Sequence, residues 1–266
     1  MIQDFEFKDR YSCDDLMHIV SVLRGPGGCP WDAEQTHESI RSNFIEETYE
    51  VIEAINKKND AMLREELGDV LLQVALHTVM AQERNAFTFD DVCNEICKKL
   101  ILRHPHVFGD VQVSSSAEVL KNWDAIKMDS KHQKTASEAI DAVPREFPAL
   151  MRAQKVQKKA AKVGFDWDDV SGALDKVQEE TAEVRAALDT DPAQAPEEIG
   201  DLLFSVVNVC RFAGVDAEET LTAATDKFAA RFKKTEALAA ARGMDMKSAG
   251  LDALDALWEE VKKTGQ

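Results

Sequence analysis

One acidic signature occurs twice along this chain, once in each half. Glu46-Glu47-x-x-Glu50 is followed by Glu66-Leu67-Gly68-Asp69, and Glu179-Glu180-x-x-Glu183 is followed by Glu198-Ile199-Gly200-Asp201. On a helix a three-residue step turns about 300°, so Glu47 with Glu50, and Glu66 with Asp69, project from one face a turn apart. Each half therefore offers two carboxylate pairs on two successive helices. If those helices pack antiparallel, four negative charges converge, which repulsion and desolvation oppose unless cations lie between them. An acidic helix face is by default a solvated one. Here Asp69 and Asp201 each open a run so apolar (Val70-Leu71-Leu72, Leu202-Leu203-Phe204) that burial is expected, and the motif reads as a site for hard divalent metal.

The 266 residues, 44% of them hydrophobic, suffice for two ordinary domains with their own cores. A net charge of −17, without any long Lys/Arg stripe, argues against a nucleic-acid-binding surface. A phosphorylated ligand stays compatible if metal bridges it to the carboxylates. No apolar run reaches the roughly 18 residues of a membrane span, and Met1 to Phe7 lacks the basic and apolar regions of a signal peptide, so a cytoplasmic protein without membrane contact is expected. The five cysteines (Cys13, Cys29, Cys93, Cys97, Cys210) contain no C-x-x-C and are expected to be reduced, structural thiols.

Helical periodicity runs throughout, Gly and Pro are scarce, and alternating β-runs are hard to find, so the fold class is all-α. The pattern predicts helices near 12–24, 36–58, 61–84, 89–103, 116–137, 148–162, 170–189, 195–213, 217–242 and 251–263. Asp141 to Pro148, bracketed by Pro144 and Pro148, is the expected linker. The duplication extends beyond the acids. Gly28-Cys29-Pro30-Trp31-Asp32 matches Gly164-Phe165-Asp166-Trp167-Asp168, Lys99-x-x-x-Arg103 matches Lys227-x-x-x-Arg231, and Trp123-x-x-x-Lys127 matches Trp258-x-x-x-Lys262. A repeat of about 130 residues is too long for a solenoid unit and implies two homologous domains, 1–140 and 141–266.

The acids supply oxygen ligands alone, which suits Mg²⁺ with Mn²⁺ as a substitute. None is followed three residues later by His, which disfavours a di-iron bundle; Glu34/His37 and Asp129/His132 lie outside the acidic helices. Metal beside Lys and Arg points to a polyphosphate: cations hold phosphate oxygens and activate a bound water, while basic side chains offset charge on the leaving group. The Walker-type phosphate loop is absent, since Arg24-Gly25-Pro26-Gly27-Gly28 lacks its Lys and the helix that follows.

Taken in order, the acidic sets, Gly28 to Asp32, Gln35-Thr36-His37, Arg103-His104-Pro105-His106-Val107-Phe108 and Val163 to Trp167 resemble the two-domain bacterial MazG proteins. These are nucleoside triphosphate pyrophosphohydrolases of the all-α NTP pyrophosphatase superfamily. The resemblance covers nearly the whole chain and implies four-helix-bundle-like domains that complete their sites by homodimerising. It further implies Mg²⁺-dependent attack of water on the α-phosphorus of broad (d)NTP substrates, giving a monophosphate and pyrophosphate, in nucleotide-pool housecleaning. Carried onto this chain, the metal ligands are Glu180, Glu183, Glu198 and Asp201 in the C-terminal half, and Glu47, Glu50, Glu66 and Asp69 in the N-terminal half. The substrate shell is Lys227, Arg231, Trp258 and Lys262, with Lys99, Arg103, Trp123 and Lys127 as N-terminal counterparts. The resemblance favours the C-terminal half as the active one. Where a basic residue often precedes the second acidic pair, this chain has Gln194 and Pro196.

Glu46 and Glu179 sit about 100° round from their neighbours, as candidate general bases or as charges favoured by the helix dipole. Trp31 and Trp167 are expected to anchor the core, and His104 and His106 to flank a structural turn in a loop. The rival reading is a catalytically degenerate helical regulatory or interaction module, one copy having drifted.

Overall fold

The computed structural model describes residues 5–116, 118–119, 122–123, 126 and 135–264. Among these residues the chain forms α-helices and no strand. It divides into two compact units, Met1–Ile126 and Lys127–Gln266. The first holds α1 (Cys13–Arg24), α2 (Pro30–Glu34), α3 (Arg41–Asn56), α4 (Asp60–Glu83), α5 (Phe89–Arg103) and α6 (Pro105–Phe108). The second holds α7 (Ala136–Asp141), α8 (Ala149–Ala161), α9 (Val170–Thr190), α10 (Ala195–Phe212), α11 (Ala217–Ala241) and α12 (Leu251–Thr264). Most of the helix expected over 116–137 lies outside the described residues.

In the first unit α1 starts at a capping box. The Ser12 hydroxyl accepts from the Asp15 amide, and the Asp15 carboxylate accepts from the Ser12 amide at 2.7 Å. The helix packs on the second half of α4, burying Val20, Ile40, Ala75, Leu76, Val79 and Met80 with Leu16, Met17 and Leu72 alongside. That is the side-chain set the apolar run after Asp69 leads to. Arg24 closes the arrangement: its guanidinium donates twice to Glu83 (2.8 and 2.9 Å) and also to the Gln35 carbonyl (3.1 Å), tying the end of α1 to the end of α4 and to the turn before α3. Three residues, Lys57 to Asn59, then connect α3 to α4, and the Asn59 side chain caps α4 by accepting from the Ala61 and Met62 amides.

The second unit repeats the hairpin as α9 and α10, joined through Asp191 to Gln194. α8 is pinned beneath it by two buried glutamines. Gln154 donates to the Val215 carbonyl (2.7 Å) and accepts from the Ala217 amide (3.2 Å), and Gln157 donates to the Phe204 carbonyl (2.8 Å). Buried amides that satisfy backbone groups fix the register of neighbouring helices more sharply than apolar packing does. Residues 141–148, expected to link the halves, instead join α7 to α8 inside this unit, with Val143 buried.

Three local expectations are corrected. Trp31 and Trp167 are not core anchors in the single chain, being 58% and 44% exposed; Trp167 lies over Gly172, where a Cβ would meet its ring at 2.3 Å. The segment after His104 is a short helix with Pro105 in its first turn, a position where the missing amide hydrogen costs nothing. The cysteines are free as expected, yet Cys13 and Cys97 are exposed rather than packed.

Candidate active site

Each acidic signature maps onto one helical hairpin. In the first unit Glu47 from α3 meets Glu66 and Asp69 from α4, with one carboxylate oxygen of each within 4.8 Å of the others. Glu50 lies beside Glu47 and Glu66. In the second unit Glu180 and Glu183 from α9 meet Glu198 from α10 within the same limit, and Asp201, exposed one turn further along α10, falls outside that trio. The two halves thus draw different threes from the same four acids.

Electrostatics follow from this crowding. Burial, with Asp69 and Glu50 adding repulsion, raises the Glu47 carboxyl above its ordinary range, while the adjacent Gln73 amide pulls it back. Glu66 is raised by burial and then by Glu50. Glu183 is raised chiefly by a hydrogen bond shared with Glu180. The upward shifts share their causes, desolvation and crowding of like charges, both of which a bound cation would offset. Two orphaned oxygens sharpen the point: Glu180 is 3% exposed and Gln73 4% exposed, and one side-chain oxygen of each is buried with no hydrogen-bond donor. An all-oxygen donor set with unpaired buried lone pairs fits a hard divalent ion.

One residue here escaped the sequence reading. Lys176, one turn before Glu180 on α9, places its ammonium 2.5 Å from Glu180 and 2.8 Å from Glu179, and these carboxylates push its pKa upward. The Lys-x-x-Glu-Glu spacing was the available signal, because residues four apart on a helix are neighbours. Glu179, a candidate base, is instead exposed and engaged by Lys176; its counterpart Glu46 is exposed on α3. A second unread feature is the pairing of His37 with His77, their rings parallel and their Nδ1 atoms 2.7 Å apart. One ring must donate and the other accept, and burial, then His37, lowers the His77 pKa.

The expected substrate-shell residues are in part in contact with one another, on helices other than those that carry the clustered acids. Arg103 on α5 sets its guanidinium 5.2 Å from the centroid of the Trp123 ring, and its Nε is buried without a partner; Lys99 precedes it by one turn. Lys127 lies outside the described residues. In the second unit the Trp258 ring on α12 meets Phe228, flanked on α11 by Lys227, at 5.1 Å, and Lys262 pairs with Glu259 at 2.6 Å, close enough to Arg231 for its charge to act on the same carboxylate. Among the described residues no ion pair joins Lys99, Arg103, Lys227, Arg231 or Lys262 to the clustered acids. The clustered acids lie on α3/α4 and α9/α10, and the described shell cations on α5 in the first half and on α11/α12 in the second.

Fold and site together define a class: an all-α, internally duplicated protein with one buried-edge carboxylate cluster per half. Comparison with known proteins narrows it. A family model described as the MazG nucleotide pyrophosphohydrolase domain matches twice, over residues 35–108 and 169–235, so each match contains one acidic hairpin. The nucleoside triphosphate pyrophosphohydrolase of Escherichia coli K12 is 47% identical over 255 residues, which cover 94% of this chain and 97% of that protein. The nucleoside triphosphate pyrophosphohydrolase/pyrophosphatase MazG of Thermotoga maritima is also 47% identical, over 94% of this chain and 95% of its own length. A shorter match, 39% identical over 57% of this chain, is to the nucleoside triphosphate pyrophosphohydrolase of Mycobacterium tuberculosis. The chain belongs to the MazG family.

Proposed function

We propose that this chain is a metal-dependent nucleoside triphosphate pyrophosphohydrolase working at its C-terminal carboxylate cluster. The observation that carries the reading is the trio of Glu180, Glu183 and Glu198 on one hairpin of a MazG chain, built around a buried Glu180 with an unpartnered carboxylate oxygen. Water adds to the α-phosphorus of a (d)NTP as the bond to the bridging α,β-oxygen breaks, and the products are a nucleoside monophosphate and pyrophosphate. Bound Mg²⁺, or Mn²⁺ in its place, screens the phosphate oxygens and acidifies water. Glu180, Glu183, Glu198 and Asp201 would hold it. Glu47, Glu50, Glu66 and Asp69 form the equivalent N-terminal set.

Lys176 pairs with Glu179 and Glu180, which favour its ammonium form, and we assign it to a phosphate of the bound triphosphate. Lys227, Arg231, Trp258 and Lys262 lie on the neighbouring helix pair and are assigned to the triphosphate and base. Because they do not touch the acids of their own chain, a homodimer in which one protomer's α11 and α12 approach its partner's α9 and α10 is the economical way to complete the site. Lys99, Arg103, Trp123 and Lys127 are assigned the matching N-terminal part. No helix among the described residues is long and apolar enough to cross a membrane, and we place the enzyme in the cytoplasm with its nucleotides.

The test resolves products and halves together. With Mg²⁺ and a panel of triphosphates the expected products are monophosphate plus pyrophosphate. Glu183→Ala should lower kcat/KM by about 10²-fold or more, and Glu50→Ala by no more than a few-fold. Diphosphate plus orthophosphate would overturn the bond assignment, and the reverse pattern of losses would move the active site to the N-terminal half.

A further inference from the structure

The two carboxylate clusters differ in one charge. Four residues before Glu180 stands Lys176; four before the equivalent Glu47 stands Asn43, at the same offset of 133 residues. The Lys176 ammonium contacts Glu180 at 2.5 Å and Glu179 at 2.8 Å, so the C-terminal cluster carries its own counter-cation. In the N-terminal cluster the neighbour of Glu47 is the neutral Gln73 amide, 4% exposed, whose carbonyl oxygen is buried without a donor. Ser205 fills the corresponding place in the second half. One cluster thus has a cation paired with its most buried acid, and the other has a neutral amide beside Glu47 in place of that cation.

We propose that the two clusters load metal by different rules: the N-terminal one takes a divalent cation from solution, whereas the C-terminal one, its place held by Lys176, takes a cation only together with a polyphosphate. The proposal rests on the reading of both clusters as metal sites. A cation entering beside Glu180 must first break an ion pair to a side chain that is 4% exposed, where Coulomb attraction is screened little. It gains less there than at Glu47, where no cation is displaced. A polyphosphate removes the obstacle from both sides, because it brings a cation with it and offers the ammonium other oxygens. Free metal alone therefore leaves the catalytic cluster closed, and the N-terminal ion is a resident one.

The experiment titrates the full chain with Mn²⁺ and reads free Mn²⁺ by electron paramagnetic resonance, with and without an α,β-methylene triphosphate. Expected without nucleotide is one tight class of site, lost in Glu47→Gln, with no second class filling until Mn²⁺ is raised about tenfold or more beyond the range that saturates the first. Lys176→Asn should bring the second class close to the first, Asn43→Lys should weaken the first, and the analogue should tighten the second class alone. Circular dichroism melting establishes that each variant is folded. Two equal classes in the wild type, or affinities indifferent to Lys176→Asn and Asn43→Lys, would overturn the loading rule while leaving the metal sites standing. No Mn²⁺ bound in either condition would remove the sites themselves.

Discussion

Glu66 and His77 are only eleven positions apart on α4, yet their titrations push stability in opposite directions. The Glu66 pKa is raised by burial and by Glu50, so the folded protein holds a proton that the unfolded chain has released. Such a group contributes stability that is fully present below the unfolded value of about 4.5 and is lost as pH rises through the folded pKa. His77 is lowered by burial and by His37, so its contribution is present above about 6.5 and is lost as pH falls through its folded pKa. In EDTA, the melting temperature of the wild type relative to Glu66→Gln should therefore decline as pH climbs above 4.5, and Mg²⁺ should reverse that decline. Relative to His77→Gln, it should decline as pH drops below 6.5. A pH-independent difference in either pair would mean that the residue titrates as it does in the unfolded chain. At this scale the sequence was legible where chemistry repeats: eight acids at helical spacing pointed to two clusters. It was silent on which three of each four would converge, because that depends on side-chain conformation and not on spacing.

Elements were the most readable layer. Helix α5 spans Phe89–Arg103 as its period predicts, and α8 to α12 match to within about a residue at each end, since Asp169, Asp216 and the glycines and prolines around them punctuate the chain. The short helices α2, α6 and α7 were missed because four to six residues carry too little period to register. The two tryptophans next to Gly and Asp misled for a different reason: a large aromatic predicts contact, and Trp167 does make contact, but with the first turn of α9 instead of a core. Gly172 serves that contact. By helix propensity alone Gly172→Ala would stabilise α9 by up to about 1 kcal/mol. The clash is with ring atoms near the root of the indole, which cannot swing aside without moving the 164–168 turn, so overpacking should dominate and cost about 2 kcal/mol. The expected result is a melting temperature lowered by several degrees, whereas a stabilised variant would show that Trp167 yields freely.

Across the whole molecule, the feature that sequence reasoning read incompletely is what covers α10 and α11. The apolar run after Asp201 was expected to be buried, yet Leu203 is 53% exposed and Phe204, Phe228 and Phe232 are exposed with it. Neighbouring exposed apolar side chains on α10 (Leu203, Phe204) and on α11 (Phe228, Phe232) fit a subunit interface of the kind proposed above. Light scattering should return twice the 29.6 kDa chain mass for the wild type. Leu203→Glu should shift it toward the single-chain mass and lose pyrophosphate release in the same step; a fully active monomer would separate the site from the interface.

Within each half the carboxylate trio comes from one hairpin: Glu47 to Asp69 in the first, Glu180 to Glu198 in the second, each pair of helices joined by a connector of three or four residues. Such contacts have low contact order, and the loop-closure entropy they require is small. Both carboxylate clusters are therefore local products of folding. During synthesis the first could assemble as soon as α4 has left the ribosome, well before the second half of the chain exists.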